Sequence, residues 1–141
     1  MSEYGSVYSP DGDVVDSLVA ISGGGWQYQT ADDTIETYNS LGQLASATKR
    51  GGATVTVNYA SGSVLTDPPV SVTDFFGHSL QFAYAVDATG VNRLASVTDP
   101  AGHTISYTHD SYGNLTVVTN ADSTTRSYNY GSSPNWFLLN Q

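Results

Sequence analysis

The sequence predicts an all-β protein, organised as an antiparallel β-hairpin repeat array. Short segments alternate polar and apolar residues, which is the period of a β-strand. Compact clusters that contain Gly separate these segments, as hairpin turns do. The 141 residues include 14 Gly and 10 Tyr, and this composition favours strands and tight turns over helices.

Strand-like alternation is clearest in residues 103–109. Ile105, Tyr107 and His109 would share one face of a strand, and the residues between them are Thr and Ser. Such a sheet has one apolar, aromatic face and one small, polar face. Because the aromatic residues alternate with aliphatic ones at strand period, we predict that they form the sheet core. These core aromatics are Tyr38, Tyr59, Phe82, Tyr84, Tyr107, Tyr128 and Tyr130.

Two kinds of turn recur along the chain. SVTD-x-x-G occurs at 71–77 and 96–102, where the copies agree at five of seven positions, with weaker copies at 46–52 and 117–123. The final positions, 52, 77, 102 and 123, are spaced by 25, 25 and 21 residues. YNSLGQL and HDSYGNL form the second kind, in which Asp or Asn can bond nearby amides and Gly can take a positive φ. The predicted turn glycines are Gly42, Gly77, Gly90, Gly102 and Gly113.

Three strand segments break the alternation. They read LASAT at 44–48, LASVT at 94–98 and LTVVT at 115–119. Their apolar residues three positions apart cannot share one face of a regular strand. We therefore predict a β-bulge or a sharp twist in each.

The length fits one domain. Residues 1–25 are predicted to be a weakly repeat-like N-terminal strand segment, in which Gly23 to Gly25 form a turn or joint. Residues 26–141 are predicted to be hairpin repeats, with the last unit truncated.

Charge and composition exclude several classes of partner. The chain has 13 acidic and 4 basic residues, a formal charge of −9, so we expect neither nucleic acid nor an anionic membrane as partner. No apolar run reaches transmembrane length, and the start lacks the pattern of a signal peptide. Cysteine is absent, which excludes thiolate metal sites.

The repeated motifs resemble the YD repeat of the Rhs family. The resemblance lies in HDSYGNL and YNSLGQL, in VTDPAG and in the closing Tyr-x-Tyr, and it covers about residues 26–130. It implies a curled sheet that is part of a YD-repeat shell. In bacterial Rhs toxins, Tc toxins and the related teneurins, many such repeats build a hollow shell, and in the bacterial toxins this shell encloses a C-terminal toxin.

The resemblance has limits. A shell needs far more than 141 residues. Shell-forming bacterial members also cut themselves near an aspartate motif of the form DPxG-x-L. Asp99 to His103 reads DPAGH, with His in place of Leu, so we interpret it as a repeat turn.

Candidate chemical sites find a simpler explanation in the repeat. His78 and His103 each follow a turn Gly, and His109 occupies a Tyr position, so we predict no metal site and no cofactor. Asp11 to Asp13 and Asp32-Asp33 lack the remainder of a calcium loop. No nucleophile elbow indicates a Ser-His-Asp triad, and we predict no enzymatic activity.

The predicted function is structural. The chain would be a segment of an Rhs/YD-repeat protein that contributes to a shell around a C-terminal toxin in bacterial competition. Its partners would be further repeats of the parent chain and the enclosed toxin domain, and the parent would be secreted or delivered at the cell surface. The alternative is an extracellular glycan-binding module that uses surface tyrosines.

An apolar sheet face must be covered, and strand edges are open to pairing. The isolated chain is therefore expected either to curl into a small sandwich or partial barrel, or to self-associate through edges or apolar faces.

Overall fold

The computed structural model describes residues 7–8, 15–62, 64–131 and 138–140. They fall into two compact units, the first ending at Ser79 and the second beginning at Leu80.

The first unit is a meander in which each strand pairs antiparallel with its neighbour in the chain. Five-residue hairpin turns join most of these strands, and a longer loop at 60–68 joins the sixth to the seventh. The strands are β1 (Val7–Tyr8), β2 (Ser17–Ala20), β3 (Trp26–Gln29), β4 (Ile35–Tyr38), β5 (Leu44–Thr48), β6 (Thr54–Tyr59) and β7 (Pro69–Thr73).

The second unit repeats this arrangement. Its meander consists of β8 (Ser79–Val86), β9 (Asn92–Thr98), β10 (Thr104–His109), β11 (Leu115–Thr119) and β12 (Thr125–Ser127). A separate antiparallel pair follows, formed by β13 (Asn129–Tyr130) and β14 (Leu138–Asn140). The described residues contain no helix. The prediction of an all-β antiparallel hairpin array is confirmed.

The predicted bulges are present in all three segments. Tyr38 pairs with Leu44 and Thr37 with Ser46, which leaves Ala45 as the extra residue in β5. The same shift leaves Ala95 extra in β9 and Thr116 extra in β11. A fourth bulge, at Val70 in β7, was not predicted. These four bulged positions of the meanders repeat at 25, 25 and 21 residues, the same spacing as the turns. A further register shift lies between Asn129 and Tyr130, where β13 pairs with β14.

Hydroxyl pairs recur at the ends of the strands that lie away from the bulges. Thr48 Oγ1 lies 3.0 Å from Thr54 Oγ1, and Thr73 Oγ1 donates to Ser79 Oγ at 3.1 Å. Thr98 Oγ1 lies 2.9 Å from Thr104 Oγ1. In each pair the first residue ends one strand and the second begins the next, so the hydroxyl contact spans the turn between them.

No apolar side chain is buried among the described residues, and the only buried residues are Gln43 and Ser71. Neither unit therefore has the closed core that a small sandwich needs. Self-association, the other expected outcome, stays a prediction.

The predicted boundary after residue 25 falls in the turn between β2 and β3, which are paired from Ser17 with Gln29 to Ala20 with Trp26. The division into segments 1–25 and 26–141 stays a prediction. Asp11 to Asp13 and most of the last repeat unit, residues 132–137 and 141, lie outside the described residues.

Candidate functional site

The repeat turns hold most of the charged side chains that make specific contacts, and the turn from Asp99 to His103 shows their construction. The Asp99 amide donates to the His103 carbonyl at 2.9 Å, and the Gly102 amide donates to the Asp99 carbonyl at 3.0 Å. This is a three-residue hairpin loop that ends in a left-handed residue. The Asp99 Oδ1 atom accepts from the amides of Ala101 and His103, at 2.9 and 2.8 Å. One side chain thereby fixes both sides of the loop.

The same arrangement recurs in other turns. Asn39, Asp74, Asp87 and Asp110 each accept, through Oδ1, the amides of the second and fourth residues that follow, at 2.8 to 3.0 Å. The structure places the five predicted turn glycines at the left-handed position of these loops. Their φ angles lie between 81° and 87°, for Gly42, Gly77, Gly90, Gly102 and Gly113.

Two turns have a residue other than Gly at this position. Asp33 has a φ of 61° and Ser123 a φ of 67°. Their loops have the same backbone bonds, from Asp33 N to Thr30 O and from Ser123 N to Asn120 O. The repeat spacing in the sequence, with turn positions at 52, 77, 102 and 123, predicted the turn that contains Ser123.

In the turns that begin with an aspartate, the second carboxylate oxygen of that aspartate contacts a side chain. His78 Nδ1 lies 3.0 Å from Asp74 Oδ2, and His103 Nδ1 lies 2.9 Å from Asp99 Oδ2. Asn114 Nδ2 donates to Asp110 Oδ2 at 3.1 Å. In the DPAGH segment, therefore, the Asp99 carboxylate is engaged on both oxygens by its own turn.

Arg93 connects two turns at the same end of the second unit. Its Nε donates to Asp87 Oδ2 at 2.7 Å, and the Asp87 side chain is only 6% exposed. A Cβ at Gly113 would lie 2.5 Å from Arg93 Cζ. The guanidinium therefore covers the glycine of the following turn on this side and leaves no room for a side chain there.

Hydrogen bonds lower the pKa of several turn carboxyls. The Thr89 hydroxyl, the Arg93 guanidinium and the Val91 amide hold the pKa of Asp87 far below its usual value. The His103 side chain and amide lower the pKa of Asp99. These carboxyls are therefore ionised at neutral pH and act as hydrogen-bond acceptors.

Gln43, which follows the turn glycine Gly42, is 6% exposed and holds the 60–68 loop. Its Nε2 lies 3.2 Å from Val64 O, 3.4 Å from Leu65 O and 3.3 Å from Asp67 O. Its Oε1 accepts from Asn39 Nδ2 at 2.8 Å. Sequence reasoning missed this residue, although its place, one residue after a turn Gly, matches that of His78 and His103.

The predicted core aromatics are half-buried. Tyr38 Oη donates to Glu36 Oε2 at 2.6 Å, and Tyr59 Oη donates to Leu44 O at 3.0 Å. The Glu36 carboxylate raises the pKa of Tyr38. These bonds tie two rings to their own sheet. A core role for the seven residues stays a prediction, because nothing described covers them completely.

The described residues show no group of three or more His, Asp or Glu side chains placed to hold a metal ion. They also contain no helix with the length and hydropathy of a membrane span.

A family model matches part of the chain. The RHS Repeat model covers residues 86–131, which run from the end of β8 through β13 and include the turns of Gly90, Gly102 and Gly113. This segment is similar to the Rhs repeat family. The chain has no match among the curated proteins with which it was compared. The Rhs resemblance that the motifs indicated is thus confirmed for residues 86–131, whose Asp-x-x-Gly turns and bulged strands lie within the matched segment.

Proposed function

We propose that this Rhs repeat segment forms part of the wall of a shell that encloses a C-terminal toxin used in bacterial competition. The observation that carries the proposal is the open sheet of the matched segment. Each strand of its meander pairs with its neighbour in the chain, and no apolar side chain in the described residues is buried. Such a sheet needs a further layer or further repeats to cover its apolar face.

The contacts of the turns fit a structural role. In the turns that begin with an aspartate, the carboxylate is bound by amides and by a side chain of the protein, as for Asp87 with Arg93 and Asp99 with His103. A non-enzymatic function is therefore the one that the repeat family and these contacts support. The parent protein would act outside the cell or at its surface, with further repeats and the toxin domain as partners.

Limited proteolysis of the parent gene product tests the shell. We expect the segment that follows the repeats to resist protease while the wall is intact, and to be digested once the wall is unfolded. A parent without a C-terminal domain beyond its repeats, or with one that is cleaved as fast as when expressed alone, would contradict encapsulation.

Glycan binding is the second candidate, and it is favoured by the half-exposed aromatic residues. Rings on an open sheet can stack on sugar rings, and none of the predicted core aromatics is buried. The bonds of Tyr38 and Tyr59 to their own sheet hold the rings without engaging a ligand. A glycan array with the whole chain decides between the candidates: specific binding that is lost in Tyr107→Ser would support this one, and an array without binding would remove it.

A further inference from the structure

Two exposed phenylalanines form the tip of one turn in the first unit. Phe75 is 63% exposed and Phe76 is 80% exposed. Their rings meet edge to face, with centroids 5.5 Å apart and an angle of 77° between the planes. The turn geometry does not require them, because the turn from Asp99 to His103 has the same backbone bonds with Pro and Ala at the tip. Exposed rings that the fold does not need mark an interaction site.

The rings border a groove of about 270 Å³. Its floor includes Ala47 and Val55, which pair directly across β5 and β6, and Ala53 lies beside them. The remaining lining comes from Thr34, Lys49, Thr54 and Asp74. Sites that enclose a drug-sized ligand are usually about 300–1,000 Å³. This smaller, open groove fits one large apolar side chain.

The charge around the groove favours a basic partner. The three turns that contribute to the lining, 30–34, 49–53 and 74–78, carry three aspartates and two cations. Arg50 and Asp33 neutralise each other, because Arg50 Nη2 lies 3.0 Å from Asp33 Oδ2, and this leaves Asp32 and Asp74 against Lys49. The whole chain has a formal charge of −9. Positive residues that flank an apolar anchor would therefore be attracted to this end of the unit.

A second copy of the chain fits less well. Stable dimers bury roughly 800 Å² on each partner, and a groove that holds one side chain supplies a small part of that area. Two copies would also each bring a charge of −9.

We propose that the Phe75–Phe76 groove binds a short basic peptide segment by taking up one large apolar side chain between flanking Lys or Arg residues. Phe75 and Phe76 form the aromatic wall, and the acidic turns attract the flanking charges. This site is independent of the shell proposal, since it requires only the first unit.

Three short peptides test the site on the isotopically labelled whole chain, by amide NMR titration. The first has a central tryptophan between two lysines on each side, the second replaces the lysines with glutamates, and the third replaces the tryptophan with serine. We expect the first to shift the amides of residues 53–55 and 74–78, and to bind more weakly as salt rises. The other two should bind at least tenfold more weakly.

Phe76→Ser should weaken binding of the first peptide at least tenfold. Tyr112→Ser is the matched control, because Tyr112 occupies the same position in its own turn and is also exposed; it should leave binding unchanged. The spectrum of each variant shows whether it is folded, and Phe75→Ser replaces Phe76→Ser if the latter is not. Equal binding of the glutamate peptide, binding that survives both Phe variants, or concentration-dependent self-association that Phe76→Ser abolishes would each overturn the proposal.

Discussion

The guanidinium of Arg93 lies over Gly113, where a Cβ would be 2.5 Å from Cζ and 2.7 Å from Nε. Gly113 therefore meets two separate requirements. It has a φ of 84°, which L side chains rarely adopt, and it makes room for an arginine that is paired with Asp87. Gly102 meets only the first, because a Cβ there would have nothing within 4 Å.

Gly113→Ala should be more destabilising than Gly102→Ala. Each substitution puts a Cβ in the left-handed region, at a cost of about 1 kcal/mol, and the first also displaces the Arg93 guanidinium, which adds about 1 kcal/mol or more. Urea unfolding measures both. Adding Arg93→Ala should remove the excess cost at Gly113 and change Gly102→Ala little; equal costs at the two glycines would show that the arginine moves away freely.

Ser123→Gly should stabilise the protein. Ser123 holds a φ of 67°, and Gly adopts that conformation at no steric cost. We expect a gain of about 0.5–1 kcal/mol in the free energy of unfolding. Ser111→Gly is the control, since Ser111 has no positive φ and Gly there should give no gain. A lower melting temperature for Ser123→Gly would mean that the Ser side chain stabilises the turn.

Gln43→Ala should loosen the 60–68 loop. The change removes the side-chain amide that contacts Val64 O, Leu65 O and Asp67 O, and the loss of a hydrogen bond costs about 0.5–1.5 kcal/mol. Faster protease cleavage within 60–68 is the expected result. Gln27→Ala is the control, because its side chain is exposed and makes one long contact, 3.5 Å to Thr37 Oγ1. An unchanged cleavage rate for Gln43→Ala would show that the loop keeps its conformation without the Gln43 side chain.

Stability should fall in acid through the turn carboxyls. The pKa values of Asp87 and Asp99 are lower in the folded chain than in the unfolded chain, so the unfolded chain takes up protons first as the pH falls. The stabilisation is complete above the unfolded value of about 4 and is lost as the pH falls towards the folded values. Thermal unfolding from pH 6 to pH 3 measures it. In Asp87→Asn the melting temperature should be lower at pH 6 and fall less steeply; an unchanged slope would contradict the role of Asp87.

Local patterns in the sequence predicted most of the fold. Alternation and the spacing of Asp and Gly depend on neighbouring residues only, so strands, turns and three bulges could be inferred from them. The fourth bulge was missed because Pro69 stands where the other copies have Leu, which hid the motif.

Contacts between distant residues were not predictable in the same way. Gln43 reaches carbonyls 21 to 24 residues away, and the nine-residue loop that it holds replaces a five-residue turn. The position of the Arg93 guanidinium over Gly113 likewise requires two turns to lie side by side at one end of a sheet. The burial of Tyr84 or Tyr107 depends on what packs on the sheet, which alternation alone does not reveal.

The bulges determine how a chain of this kind can change its length. From β5 to β11 every second strand carries an extra residue, at Ala45, Val70, Ala95 and Thr116. Loss of one strand would place two bulged or two unbulged strands side by side and would reverse the direction of every strand that follows. Loss or duplication of a strand pair, 21 or 25 residues here, preserves both. Genetic gain and loss in such a chain should therefore proceed in whole hairpin pairs, and its natural variants should differ in length by multiples of roughly that size.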